Sequence, residues 1–139
     1  MLKIRSPLTD AEEQIVSRVI GCGIEVHRVL GPGFKERVYE RAFALELETR
    51  GLSFESEKPI DVTYKQWKIA GQRLDLVVEG IVIVELKVVP KVKPLHRRQV
   101  VSYLRTTGVK VGLIMNFNTT ILKNGLERVV YEKPKQDPS

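Results

Sequence analysis

Residues 71–87 limit what this chain can fold into more sharply than any other stretch. They read Gly71-Gln72-Arg73-Leu74-Asp75-Leu76-Val77-Val78-Glu79-Gly80-Ile81-Val82-Ile83-Val84-Glu85-Leu86-Lys87. Two apolar, strand-like runs flank a Glu79-Gly80 turn. Asp75, Glu85 and Lys87 stand where a buried sheet favours no charge at all. Burying a charge is unfavourable unless it is paired or bound to a metal. Neighbouring carboxylates repel, and a divalent cation relieves them. Exposure at a sheet edge is the plain alternative, but the flanks Leu74, Leu76, Val77, Ile83, Val84 and Leu86 point to burial. Side chains alternate along a strand, so Lys87 projects from the same face as Glu85. The pattern suits a Mg²⁺ site with a cation beside it for an anionic reactant. It also makes a demand on the hairpin. A two-residue turn would pair Asp75 with Val84 and put the two acids on opposite faces. A three-residue turn or a bulge, with Gly80 left-handed, would pair Asp75 with Glu85.

The chain has 139 residues, 42% of them apolar and 29% charged, which fits one folded domain over 1–132 and a flexible tail at 133–139. No apolar run reaches membrane-spanning length, and the first residues lack the apolar block of a signal peptide. Cys22 is the one cysteine, which excludes an internal disulfide and any multi-cysteine zinc site. A cytoplasmic protein with no membrane partner is the expectation. The net charge is +6, from 23 Lys and Arg against 17 Asp and Glu. The densest basic segment holds Lys87, Lys91, Lys93, Arg97 and Arg98 without an acid. It reads either as a solvated helix start or as a phosphate track, and its place beside Glu85 and Lys87 favours the track.

Thr9-Asp10-Ala11-Glu12 forms a capping box, and helical apolar spacing follows until Gly31-Pro32-Gly33. A second helix is expected over 35–50, with a broad apolar face from Val38, Ala42 and Leu45 to Tyr39, Phe43 and Leu47. Strands are expected over 54–64, 67–78 (with a break at Gly71) and 81–89, the last apolar enough to be central. A helix over 95–107 with Pro94 in its first turn, a strand over 111–117 and an edge strand over 126–131 complete the order. Strand, helix, strand over 81–117 implies parallel pairing, while the first three strands read as a meander. The class is α/β, a mixed sheet with helices on its faces.

Two further signals belong beside the carboxylates. Gln99 and Tyr103 share a helix face, with His96 one turn earlier. Alone they read as a packed tyrosine beside solvated neighbours; next to a carboxylate site they could orient a phosphate, a water or the lysine. Glu36 falls in the first turn of its helix, where a negative charge suits the helix dipole. The sharper reading has Glu36 pointing into the sheet and joining the metal shell. His27 reads as structural or substrate-facing.

Glu36, Asp75, Glu85-x-Lys87 and Gln99-x-x-x-Tyr103 together resemble the PD-(D/E)XK nuclease superfamily in its RecB-like variety. Leu30-Gly31-Pro32-Gly33, the spacing Gly33-x-x-Glu36-x-x-Tyr39, Val84-Glu85-Leu86-Lys87, Gln99-Val100-Val101-Ser102-Tyr103-Leu104 and Gly112-Leu113-Ile114-Met115-Asn116-Phe117 look like its GxxExxY family. One departure is Leu74 in place of the proline before the aspartate. The resemblance implies a restriction-endonuclease-like fold and Mg²⁺-dependent hydrolysis of DNA phosphodiesters, with Mn²⁺ as substitute and RNA as the other candidate polyanion. Asp75, Glu85 and the Leu86 carbonyl would hold the ion, with Glu36 bound directly or through water. Lys87, Gln99 and Tyr103 would serve the reaction, and Lys91, Lys93, Arg97 and Arg98 the nucleic-acid backbone. A homodimer would supply the two sites that a double-strand cut needs. The alternatives are a non-catalytic nucleic-acid-binding or assembly module on the same fold, and a toxin or defence nuclease that works only with a partner.

Overall fold

Thr9 and Glu12 cap the first helix reciprocally: the Thr9 hydroxyl accepts from the Glu12 N–H at 3.1 Å, and the Glu12 carboxylate accepts from the Thr9 N–H at 2.9 Å. In this computed structural model, which describes residues 6–131, the helix is α1 (Asp10–Leu30). The tail expected at 133–139 lies outside the described residues. Then come α2 (Glu36–Thr49), β1 (Phe54–Tyr64), β2 (Trp67–Val78), β3 (Val82–Lys87), α3 (Pro94–Thr107), β4 (Val111–Asn116), a 3-10 turn (Leu122–Gly125) and β5 (Leu126–Val130). No helix among the described residues is long and apolar enough to cross a membrane.

The strands form one five-stranded mixed sheet in sequential order, so the nearly all-apolar β3 is central. The first three strands pair antiparallel, β3 and β4 parallel, and β4 and β5 antiparallel. Pro59 in β1 cannot donate to a ladder and is tolerated because β1 is an edge. One apolar cluster joins Val19, Cys22, Tyr39 and Phe43 of α1 and α2 to Leu76, Val84, Leu86 and Leu113. The other joins Val100, Tyr103 and Leu104 of α3 to Leu74, Val77, Ile83 and Ile114 on the opposite face. Gly112 lets α3 approach, because a Cβ there would meet Val100 Cγ1 at 2.5 Å. The result is a single α/β domain with helices on both faces of its sheet.

Three expectations need adjustment. β3 ends at Lys87, not at 89. Beyond it, the buried Asn116 side chain takes over the pairing: its Oδ1 accepts from the Val89 N–H at 3.1 Å and its Nδ2 donates to the Val89 carbonyl at 2.8 Å. Gly71 does not break β2 but bulges it: Ile60 pairs with Gln72 and Val62 with Ile69, leaving Asp61 against two residues. The apolar face of α2 is narrower than its sequence suggests. Tyr39, Phe43 and Leu47 are buried, whereas Val38 and Leu45 are exposed.

Candidate functional site

The β2–β3 connection has three residues. Val78 pairs with Val82, Glu79 and Gly80 have φ of 54° and 64°, and the Ile81 N–H donates to the Val78 carbonyl at 2.9 Å. This register sets Asp75 opposite Glu85. The ladder itself stops one pair earlier, at Leu76 and Val84. There the alternation of β2 inverts: Leu76 joins the α1–α2 cluster, but Leu74 joins the α3 cluster. On β1 the residue facing Asp75 is Glu57, which has φ of 49° and no ladder partner. Asp75 is therefore turned out of regular phase into the opening between β2 and β3, and side chains replace backbone pairing. Asp75 Oδ2 accepts from the Leu86 N–H at 3.0 Å, and Glu85 Oε1 makes a longer 3.5 Å contact with the Asp75 N–H.

The two carboxylates thus converge under poor solvation. Glu85 is only 4% exposed, and burial, then the charge of Asp75, pushes its carboxyl up to about 8. Burial also raises Asp75, against the opposing Leu86 N–H and the nearby Lys87 charge. Lys87 Nζ lies 3.9 Å from Glu85 Oε2. Both carboxyls therefore hold a proton more tightly than an ordinary carboxylate does.

Tyr39 positions α2 above this opening. Its buried hydroxyl donates to the Gly31 carbonyl at 2.6 Å and accepts from the Phe34 N–H at 3.2 Å, while its ring stacks on Phe117 with centroids 4.5 Å apart. It pins the Gly31-Pro32-Gly33 turn and fixes where α2 starts, at Glu36. Glu36 is exposed to solvent, yet its carboxyl is partly surrounded by protein. That partial burial, then Asp75, raises its carboxyl, and Lys87 opposes the rise. Sequence reasoning missed Glu40. It stands one turn after Glu36, half-buried, and burial followed by the charges of Asp75, Glu57 and Glu36 raises it, with Arg73 opposing. The four-residue spacing from Glu36 was the available signal; Glu57 carried none, because only the pairing of β1 with β2 sets it opposite Asp75. Among the described residues no three Asp, Glu, His or Cys side chains cluster tightly enough to hold a metal together, and Glu36 stands as a charged neighbour of the Asp75–Glu85 pair.

From the other face α3 brings Tyr103, whose hydroxyl donates to Gln72 Oε1 at 3.3 Å. Burial, then the charge of Glu85, raises the Tyr103 phenol, while the nearby Gln99 side chain opposes this. The expected basic track is divided. Arg97 is held by Glu127, with Nε and Nη2 at 2.5 and 2.8 Å from its oxygens. Arg98 is exposed and lines a groove with Gln99 and Tyr103. Lys91 and Lys93 are exposed, Lys91 beside Arg97 at a separate hollow. His96 accepts from the Lys93 N–H at 3.0 Å and so caps α3. His27 is buried with Nε2 2.8 Å from the Thr119 carbonyl, a structural role.

The donor set fits a small divalent cation. Two converging carboxylates suit Mg²⁺, which takes one or two carboxylates and fills its remaining positions with water and phosphate oxygen. Their raised proton affinity is the physical sign of charge that lacks a counterion. No curated protein and no solved structure gives a significant match. A family model described as the PD-(D/E)XK nuclease superfamily does match, over residues 13–129, from within α1 to within β5. Since that span holds both carboxylate strands and the two helices facing them, the chain belongs to the PD-(D/E)XK nuclease superfamily, with an α/β domain of the restriction-endonuclease-like type.

Proposed function

We propose that the protein is a Mg²⁺-dependent nuclease that hydrolyses DNA phosphodiesters, in the GxxExxY family of its superfamily. The observation that carries the proposal is the pairing of half-buried Asp75 with buried Glu85, with Lys87 Nζ 3.9 Å from Glu85. Gly33, Glu36 and Tyr39 support the narrower family. Asp75 and Glu85 would hold the ion with the Leu86 carbonyl, and Glu36 would bind it directly or through water. When bound, such an ion polarises a phosphate oxygen and acidifies a coordinated water. Lys87 orients the attacking water or stabilises the charge that grows on the phosphate. Gln72 accepts from the Tyr103 hydroxyl at 3.3 Å, so Tyr103 presents a directed polar group at the wall of the site.

The test is a cleavage panel with Mg²⁺ or Mn²⁺ on linear, circular, single-stranded and branched substrates. Wild type should cut at least one of them. Glu85→Ala and Asp75→Ala should abolish cutting while keeping the fold. Lys87→Ala should slow the chemical step by about 10²-fold or more while substrate affinity changes little. If wild type cuts nothing, the protein is instead a nucleic-acid-binding or assembly module on this fold.

A further inference from the structure

Beyond the Asp75 row, β1 and β2 leave the sheet. Residues 58–73 form a two-stranded arm, and every residue from 61 to 73 is exposed. Its tip pairs Tyr64 with Trp67, their rings 6.4 Å apart and inclined by 21°. Such a cross-strand pair stabilises a hairpin. Hairpin stability does not account for its other features. Tyr64 and Trp67 remain 56% and 55% exposed. Between them Lys65 occupies a left-handed position, φ 54°, that glycine would suit better, and its Nζ lies 5.5 Å from the Tyr64 ring centroid. Lys58, Lys65, Lys68 and Arg73 stand on the arm against the single acid Asp61.

The bulge at Gly71, φ 121°, bends the arm, since an extra residue on one strand increases local bend and twist. Val62 of the arm and Arg98, Gln99, Tyr103 and Arg105 of α3 then line one groove of about 470 Å³. Gln72, at the base of that groove, accepts from the Tyr103 hydroxyl, and Tyr103 in turn feels the charge of Glu85. The groove therefore lies between the arm that carries the exposed rings and Tyr103, the α3 residue that feels the charge of Glu85, with Arg98 and Arg105 along its wall.

We propose that the arm and this groove bind single-stranded nucleic acid, its unpaired bases stacking on Trp67 and Tyr64 and its phosphates lying along Arg98 and Arg105. The assignment rests on the nuclease reading above and adds the form of its substrate. The argument is one of complementarity. Aromatic faces flanked by cations suit a strand that offers both flat rings and negative charge. A continuous duplex hides its base faces in its own stack, and only unpaired bases can present them.

Trp67 is the single tryptophan of the chain, so its fluorescence reports directly on the arm. The wild-type protein would be titrated in chelator, to prevent cleavage, with a thymidine oligonucleotide, a uridine oligonucleotide and a relaxed, closed circular duplex. Saturable quenching is expected with an oligonucleotide and not with the closed duplex. Residues 61–73 of the arm lie outside both core clusters, so Tyr64→Leu should retain the wild-type thermal melt. Tyr64→Leu and Trp67→Leu should each weaken binding of a labelled oligonucleotide, read by anisotropy, by about tenfold. Equal quenching by the closed duplex overturns the proposal, as does unchanged affinity in both variants. If the oligonucleotide binds and metal-dependent cleavage occurs while Trp67 emission stays constant, the arm assignment fails and the nuclease reading stands. If no nucleic acid binds and nothing is cut, both fail, and a protein partner or a second copy becomes the occupant of the arm.

Discussion

Two carboxylates forced together at the end of a ladder make a proton-dependent contribution to stability. Both Asp75 and Glu85 have raised proton affinity in the folded chain. The folded state therefore holds more protons than the unfolded state between the ordinary carboxylate range and about pH 8, and folding weakens as pH rises through that window. Metal-free protein in chelator should melt several degrees lower at about pH 8.5 than at about pH 5. Glu85→Gln should remove most of that difference and melt above wild type at the higher pH. Mg²⁺ should raise the wild-type melt there, since it binds the deprotonated pair. A wild-type melting profile that is flat across this range would show that neither carboxyl has a raised proton affinity. Asp75, Glu85 and Lys87 are legible in the sequence because a charge in an apolar strand has few bland explanations. Glu40 and Glu57 are not, because a carboxylate on an amphipathic helix or in a polar edge strand is ordinary until tertiary structure places it.

Elements were legible where local chemistry alone decides them: the Thr9 and Glu12 capping box, the Gly108 stop of α3, and the three-residue β2–β3 turn demanded by pairing two acids. They were less legible where a tertiary contact decides. β3 stops early because the Asn116 side chain takes over its pairing, and Val38 and Leu45 of α2 stay exposed because the core is reached by Tyr39, Phe43 and Leu47, with Ala42 at its margin. Tyr39 shows how one buried hydroxyl sets an element. Tyr39→Phe keeps the ring on Phe117 but leaves the Gly31 carbonyl and the Phe34 N–H without their partner. A lost buried hydrogen bond costs about 1–3 kcal/mol. Chemical denaturation should show a loss of that size. Because the same hydroxyl fixes the start of α2 at Glu36, cleavage at a temperature where the variant is fully folded should also fall. A stability loss with unchanged cleavage would mean that the position of Glu36 does not matter to the reaction.

Across the whole molecule, the +6 charge does not form the single track that its sequence order suggests. Consecutive positions on a helix point in different directions, so Arg97 and Arg98 part company at the start of α3. Arg97 is committed to Glu127 on β5, while Arg98 faces the groove beneath the arm. Their effects on nucleic-acid binding should therefore differ, which a salt titration on a catalytically dead background can resolve. Backbone contacts carry no base information, and each neutralised phosphate releases counterions. Arg98→Ala should weaken binding to all sequences alike and flatten the dependence of log affinity on log salt by about one unit of slope. Arg97→Ala should leave the slope near that of wild type and instead lower the thermal melt slightly, since its partly exposed ion pair is lost. If Arg97→Ala flattens the slope as much as Arg98→Ala, the Glu127 pair must open when nucleic acid binds, and the track runs along the whole helix start after all. If neither changes it, the phosphates lie elsewhere, and the groove beside Tyr103 is not the path to the carboxylates.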